Sequence, residues 1–502
     1  MKATYLLVTA ALLLSACNSV EIPDQYKQSK QLPQIYPDYT NVTIPVNIAP
    51  MSFELQDASQ HIVARYSYGD DEIIVGKDNK AMPDMDDWRA LTAKAKGKAI
   101  DVEVYARKGE IWTRYRPFKM YVSPDSIDPY ISYRLIAPSY VTYEELTLNE
   151  RCMENYDEKV MVDNMLCSEE DKGQCVNCHN YQNYNPNKML FHARQNHGGT
   201  LINMNGEMRN VTMKNDSTIS NGVYPAWHPF LNLIAFSTNI TGQSFHTHDI
   251  NKIEVLDTES DLILYNADNN KVYNVENYKD EMEIFPCWSP DGKWLYYGSA
   301  QFKYSNDSIS MSEAIGRRKE IKYSIYRRPF DLKTHRFGPR ELVFDAAGMG
   351  KSATLPRISP DGQYLLFTLG GWGCFHIWHH DADLWMMNLA TRQAWPLKEA
   401  NSNDAESFHN WSSNGRWIMF TSRRTDGNFT RPFFAHIDRN GRAAKAFELP
   451  QCDPDYHRQF MRSYNVTEFM RGPVTVSPQQ FAEKLKTTTS IPAVFAGSCS
   501  DD

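Results

Sequence analysis

Polar and apolar residues alternate with a period of two along several short stretches of this chain. Ile100, Val102, Val104 and Ala106 fall on one face, and Asp101, Glu103, Tyr105 and Arg107 on the other, as in a half-buried strand. Lys108-Gly109 turns the chain and Ile111 to Tyr115 returns it, which predicts a hairpin. Asp84 to Lys98 has helix composition, opened by acidic residues and closed by Gly97. Residues 41–125 therefore read as a small β-sandwich carrying one helix. Residues 18–40 are polar and proline-bearing without period, and read as a tether. Residues 126–174 hold one candidate strand, Tyr130 to Ile136, and read as a connector.

Further on the pattern repeats. An apolar strand, a turn and a second apolar strand recur four times. The first unit runs from Tyr224-Pro-Ala-Trp-His-Pro229 to Leu233-Ile-Ala-Phe-Ser237, the second from Phe285-Pro-Cys-Trp-Ser-Pro-Asp-Gly292 to Trp294-Leu-Tyr-Tyr297. The third runs from Leu355-Pro-Arg-Ile-Ser-Pro-Asp-Gly362 to Tyr364-Leu-Leu-Phe-Thr368, the fourth from Phe408-His-Asn-Trp-Ser-Ser-Asn-Gly415 to Trp417-Ile-Met-Phe-Thr421. Trp227, Trp288, Ile358 and Trp411 are equivalent, at spacings of 61, 70 and 53 residues, and are expected to be buried. Polar-edged outer strands follow, such as Asp261 to Tyr265 and Asp383 to Met387. A tight turn needing glycine, flanked by strands buried on both faces, describes a propeller blade. Met189 to Arg194, with Gly199 to Met204 and Glu207 to Met213, forms an earlier unit of the same kind. The fold class is thus all-β, with a β-propeller of five visible blades over residues 175–450, and a further blade if strands from the connector complete the ring. The excursion Ser305 to Lys322 reads as a solvated loop. Ser477 to Lys486 is a short helix opened by an N-cap serine and a proline, and Thr487 to Asp502 a poorly ordered tail.

Composition narrows the function. A length of 502 residues predicts two or three domains, and 12% aromatic content suits β structure. The formal charge of −8 argues against a nucleic-acid partner. Lys2, the apolar run Tyr5 to Leu14 and the box Leu14-Ser15-Ala16-Cys17 form a cleaved export signal, too short to span a bilayer. The box resembles that of bacterial lipoproteins, which implies acylation of Cys17 and a lipid-anchored envelope protein. The expected location is the outer membrane, facing the periplasm, with surface exposure as the alternative; Glu21 and Asp24 are too weak an acidic signal to decide for surface export.

Against this background Cys175-Val176-Asn177-Cys178-His179 is the principal candidate site. C-x-x-C-H attaches haem c: two thiols add to the porphyrin vinyl groups and the adjoining imidazole ligates iron. Cys178-His179 falls near the place that Trp-Ser-Pro holds in later blades, which would put haem at the inner edge of the first one. The foremost candidates for the opposite ligand are His246 and His248, with His192, His197, Met189 and Met204 behind them. A Cys175–Cys178 disulfide is the competing reading. A zinc site from Cys152, Cys167, Cys175 and Cys178 is disfavoured by uneven spacing. His376, His379, His380, Asp381 and Asp383 read either as a metal cluster or, preferably, as a blade edge with capping polar groups. No nucleophile elbow, H-E-x-x-H or phosphate loop is found, so no reaction class is assigned.

Trp288-Ser-Pro-Asp-Gly292 resembles the WD40-like repeats of the TolB family, and the resemblance covers roughly residues 175–450. The wider arrangement resembles TolB-like lipoproteins of Bacteroidota-type bacteria in which C-x-x-C-H precedes the propeller. It extends through Asn239 to His246, Ser260-Asp-Leu262 and His380 to Leu384. The resemblance implies fold, export and haem c, and no reaction. Two functions stay open: an electron-transfer or redox protein holding one haem c, and a protein-binding scaffold of the cell envelope with Cys175 and Cys178 as a disulfide.

Overall fold

The computed structural model describes residues 20–57, 59, 61–137, 145–168 and 174–500. The export signal and Cys17 lie outside them. Among the described residues no helix is long and apolar enough to cross a membrane.

The expected helix forms over Met85–Lys94. The Asp84 side chain accepts from the amides of Asp86 and Asp87, two of the donors that a helix start leaves without partners. It packs Trp88 and Leu91 against a seven-stranded sheet whose centre is Ala99–Lys108, paired on one edge with His61–Tyr68 and on the other with Ile111–Arg114 and Phe118–Ser123. A second sheet of three short strands completes the domain. The stretch read as a tether belongs to it. Lys27–Gln28 pairs with Ile111–Arg114, Ile35–Tyr36 pairs with Phe53–Leu55, and Tyr39 is fully buried. Its spaced apolar residues were too few to show a period; Ile35 and Tyr39 take core positions, while Tyr26 stays exposed. This core is continuous with Trp417, Met419, Phe434 and Phe447, so the N-terminal domain is fused to the propeller.

The propeller has six blades, each of four antiparallel strands. Blade 2 is Gln174–Tyr181, Lys188–Gln195, Gly199–Met204 and Glu207–Thr212; blade 3 is Gly222–Trp227, Leu233–Phe245, Ile253–Asn266 and Lys271–Glu276. Blade 4 is Glu281–Trp288, Trp294–Gln301, Ser324–Pro329 and Glu341–Phe344; blade 5 is Ser352–Ile358, Tyr364–Gly370, Asp383–Asn388 and Ala394–Pro396. Blade 6 is Glu406–Trp411, Trp417–Ser422, Arg431–His436 and Phe447–Glu448. Blade 1 is made from both ends of the ring. Its outer strands are Tyr130–Ile136, Thr147–Cys152 and Glu158–Asp163, and its innermost is Ser463–Met470, with Tyr130 opposite Met470. The connector is therefore three strands of a blade. They lacked a repeat because the first strand of their unit lies more than three hundred residues away. Closure in this manner gives blade 1 its inner strand and joins the two ends of the ring.

Trp227, Trp288, Ile358 and Trp411 are all buried at equivalent positions, as the repeat requires. The turns repeat chemically as well. In blade 4 Ser289 Oγ donates to Asp291 and accepts from the Trp294 amide at 3.0 Å, and Gly292 has φ +67°. Blades 5 and 6 reproduce this with Ser359, Asp361 and Gly362, and with Ser412, Asn414 and Gly415. Blade 3, which lacks the Asp-Gly turn, uses His228 Nδ1 to accept from the amides of Phe230 and Leu231.

Two peripheral expectations are corrected. The excursion after blade 4's second strand contains the helix Ser310–Gly316, whose Met311 packs with its thioether end against Gly242 of blade 3. Residues 488–500 of the tail run along the outer edges of the blades. Ile491 pairs with Val211, Val494 with Lys271, and Ser500 with Phe337.

Candidate functional site

All six innermost strands are broken at one equivalent point. Cys178, Tyr224, Phe285, Leu355, Phe408 and Val466 have φ between +47° and +57°, the left-handed region that side chains rarely adopt. The register with the neighbouring strand shifts there in every blade. Each bulge leaves an extra residue in the inner strand and re-aims the side chains beside it. Such backbone typically costs about 1–3 kcal/mol per residue and persists only where packing holds it. The packing is a hub. Tyr224 and Phe285 meet at a ring-centroid distance of 4.7 Å, and Phe375, from a loop of blade 5, closes on them at 5.9 and 6.0 Å.

The C-x-x-C-H motif lies in this hub, on a strand. Cys178 is the bulge residue of blade 2 and borders Tyr224. The residue equivalent to the later tryptophans is Tyr181, so the motif sits three positions earlier in the blade than the sequence suggested. His179 follows the bulge and is 1% exposed. Its Nε2 pairs with Ser132 Oγ of blade 1 at 3.0 Å, while Nδ1 has no hydrogen-bond partner among the described residues. Burial first, and the nearby Arg134 second, push its pKa down to about 3, so the ring is neutral. Cys175 lies opposite Arg194; burial raises its thiol, partly offset by Arg134 and Arg194. Cys175 and Cys178 are both free thiols, which corrects the disulfide reading.

These residues do not fit a haem in this arrangement. A porphyrin held by both sulfurs needs a slot beside the motif and an imidazole nitrogen facing it. Here Cys178 is 4% exposed, aromatic rings fill the hub beside it, and the paired nitrogen of His179 is turned into the contact with blade 1. His246 and His248 sit at the tip of the blade 3 hairpin, whereas His179 faces blade 1, so no axial pair is assembled. His192 is buried against Thr200 with its pKa pushed down to about 3 by burial, and Met189 is a core residue of the blade 1–blade 2 contact. Met204 packs at the edge of the blade 2–blade 3 core, and the His197 amide donates to Gln174.

The histidines of blade 5 also disperse. His376 pairs with Thr354 at 2.8 Å, His379 with Glu254 at 3.0 Å, and His380 with Asp404 at 3.2 Å. Among the described residues no group of three or more His, Cys, Asp or Glu is arranged to hold a metal ion. Glu254 also accepts from Trp372, so this set latches the blade 3 hairpin onto blade 5.

The other end of the hub opens. A cavity of about 420 Å³ lies at the face carrying the Ser-Pro-Asp-Gly turns, and every innermost strand contributes to its lining. Two residues past the bulge, one side chain per blade forms its floor: Asn180, Ala226, Cys287, Arg357, Asn410 and Glu468. Pro229, Phe230, Pro290 and Pro360 form an apolar rim, with Arg471 beside it. Arg357 donates to its own neighbour's carbonyl, at Pro356, and lies against the Cys287 thiol. Arg471 is stacked over Tyr184 at 5.6 Å. Neither guanidinium forms an ion pair with a described residue. Glu468 accepts from Asn180 at 2.8 Å; burial, the dominant influence, lifts its pKa to about 7 against the pull of Asn180 and Arg357. None of these residues was singled out from sequence. The signal was present in the repeat, as the one position before each tryptophan where chemistry varies from blade to blade.

No family model matches the sequence, and no curated protein matches it. Among solved structures the chain is similar to TolB from Acinetobacter baumannii, at 13% identity and a TM-score of 0.41, over 76% of this chain and 84% of that one. A chain of a nidogen–laminin complex aligns at 8% identity and a TM-score of 0.38, over 66% of this chain and 96% of that one. An enzyme of Niastella koreensis described as GH74 aligns at 10% identity and a TM-score of 0.34, over 62% of this chain and 53% of that one. The propeller assignment rests on the six blades themselves.

Proposed function

We propose that this chain is a binding scaffold of the cell envelope, held to its membrane by lipid on Cys17, whose docking site is the axial funnel at the turn face. One observation carries this reading: all six blades converge polar and apolar side chains on one cavity at the turn face. A site with a few convergent polar groups in an apolar rim is the usual form of a specific binding pocket. The test is a photo-crosslinking residue in place of Phe230 at the funnel rim, with Phe245 on the opposite face as control; both side chains are exposed. A discrete adduct from position 230 in cells is the expected result. Adducts from position 245 alone would move docking to the other face and overturn the reading.

Covalent haem c at Cys175 and Cys178, with His179 as ligand and an electron-transfer or redox role, is the second reading. It is favoured by the two free thiols and by the Nδ1 of His179, which has no partner among the described residues. It requires the His179–Ser132 contact between blades 1 and 2 to open. Protein made in a host with haem c maturation would then stain for haem on a denaturing gel, and Cys178→Ala would abolish the stain. Colourless, stable protein from that host ends this reading.

A further inference from the structure

Resting on the docking reading, we propose that the funnel captures the C-terminal carboxylate of a partner protein, with Arg357 and Arg471 as the groups that hold it. Both guanidiniums line the same cavity, and neither forms an ion pair with a carboxylate of the described residues. That distinguishes them from Arg328, Arg340, Arg424 and Arg458, each of which is paired with a glutamate. A guanidinium offers five donors in a planar fork that matches a carboxylate bidentately, and a charge-assisted pair of this kind is among the stronger hydrogen-bonding contacts. Arg357 keeps most of that fork unused at the funnel floor, since its one hydrogen bond to an oxygen goes to the Pro356 carbonyl.

Below neutral pH the one carboxyl on the floor leaves Arg357 uncompensated, and the carboxyl on which Arg471 acts, Asp128, is held by Ser413. Glu468 is bonded to Asn180, and burial keeps it largely protonated below neutral pH. Asn410 supplies a further amide at the same level, its Oδ1 accepting from the Trp411 amide. The rim above is apolar, with Phe230 half exposed and three prolines, which suits the aliphatic or aromatic side chains that precede a chain end.

Shape selects a chain end over an internal acidic residue. The cavity lies at the turn face, its lining begins one residue past the bulges, at Pro225 and Pro286, and Tyr224, Phe285 and Phe375 pack against one another on the bulge side. A chain terminus enters such a funnel once. An internal Asp or Glu would have to bring two flanking strands through the same mouth of a cavity of about 420 Å³.

The test uses the purified mature chain and three pools of N-acetylated random hexapeptides: free C-terminal carboxylates, the same sequences as C-terminal amides, and amides containing internal Asp or Glu. Retained peptides are quantified by mass spectrometry, and affinities of selected ones by fluorescence anisotropy. The free-carboxylate pool is expected to be enriched roughly tenfold or more over its amides, the scale of one charge-assisted contact. Arg471→Glu should remove the enrichment; this side chain is exposed, so the fold is retained, which a melting curve confirms. Arg357→Gln should reduce it as well. Equal retention of carboxylates and amides overturns the proposal, as does better retention of the internal acids or an enrichment indifferent to Arg471→Glu. If crosslinking at position 230 succeeds while the pools show no discrimination, docking stands and only the carboxylate chemistry falls.

Discussion

Blades 2 and 6 carry the same hub sequence but for one residue: Cys178-His179-Asn180 in one, Phe408-His409-Asn410 in the other. The backbone is the same, with φ of +49° at Cys178 and +47° at Phe408. Each histidine is buried and reaches back to the preceding blade. His179 binds Ser132 of blade 1, while His409 binds Thr368 at 3.3 Å and the Leu355 carbonyl at 2.7 Å, both in blade 5. In blade 6 there is no cysteine, and the histidine is fully accounted for as a tie between blades. The comparison teaches that the histidine of a C-x-x-C-H motif can be a blade position in its own right. What blade 2 adds is two thiols and one nitrogen without a partner among the described residues.

The largest effect tests whether the blades are equivalent at all. Trp411 is 1% exposed and donates through Nε1 to the Arg357 carbonyl at 3.2 Å, as Trp288 donates to the Ala226 carbonyl at 3.0 Å. Trp411→Ala and Trp288→Ala should each lower unfolding free energy by about 3–5 kcal/mol in denaturant titrations. Tyr181→Ala, at the equivalent place in blade 2, should fall in the same range. A cost below about 1 kcal/mol at Tyr181 would break the register on which the comparison rests.

Next come the two histidines, through pH. Burial pushes both pKa values down to about 3, with Arg134 adding at His179 and Arg357 at His409. The unfolded chain takes up its protons near pH 6.5, whereas the folded chain resists them until about pH 3. Stability contributed by the neutral rings is therefore complete above pH 6.5 and is lost as pH falls, at up to about 1.4 kcal/mol per pH unit for each ring. His409→Gln and His179→Gln should each flatten that slope between pH 6.5 and 4.5. At pH 7.5 His409→Gln should cost more, about 1–3 kcal/mol, because two hydrogen bonds are lost rather than one. Equal pH slopes in wild type and His179→Gln would remove His179 from the class that His409 defines.

How much of this was legible depends on where each repeat keeps its parts. Blades 3 to 6 could be read because strand, turn and strand are contiguous, and the Ser-Pro-Asp-Gly turn has a side-chain chemistry of its own, Ser289 to Asp291 and Ser359 to Asp361. Blade 1 could not, because Ser463–Met470 supplies its inner strand from the far end of the chain, and only the fold brings it to Tyr130–Ile136. The position of Cys178 was misjudged by three residues because the bulge is a backbone event: nothing in the side chains of Tyr224, Leu355 or Val466 announces positive φ. His246 and His248 share a side of an extended segment, but which blade that segment faces is set by the ring. Arg357 and Glu468 were overlooked because a funnel assembled from six strands leaves no contiguous motif.

The funnel gives a smaller effect, on the same ring of positions as Asn180 and Asn410. Glu468 has its pKa lifted to about 7 from 4.5, with Asn180, the Tyr181 backbone and Arg357 as the groups facing it. The folded state holds this proton more tightly than the unfolded one. Its contribution is therefore most favourable below pH 4.5 and declines as pH rises to about 7. Glu468→Gln, which puts blade 1 closer to the asparagines of blades 2 and 6, should stabilise the protein at pH 8 by about 1–3 kcal/mol and leave it nearly unchanged at pH 4. Calorimetric melts at the two pH values check this. A variant less stable at pH 8 would mean that the ionised carboxylate is held by Arg357, and the guanidinium is then not available to a ligand.

The smallest effect is expected at Cys178 itself, where blades 2 and 6 differ most in chemistry. If blade 2 is built as blade 6 is, the hub needs at this position a small or apolar side chain that tolerates φ near +50°. Val466, Leu355 and Phe408 meet that need as well as a thiol does. Cys178→Ala removes one buried sulfur beside Tyr224 and leaves the bulge, the His179–Ser132 bond and the Asn180–Glu468 bond in place. In protein made without haem maturation it should therefore cost about 1 kcal/mol, within the ordinary range for a single truncation. The measurement is a denaturant titration of Cys178→Ala beside Phe408→Ala, whose larger ring should cost about 3 kcal/mol or more. A Cys178→Ala cost equal to that of Phe408→Ala would show that the thiol is integral to hub packing. A small cost, joined to loss of a haem stain in the maturation host, would show that blade 2 keeps its cysteines for a ligand rather than for the fold.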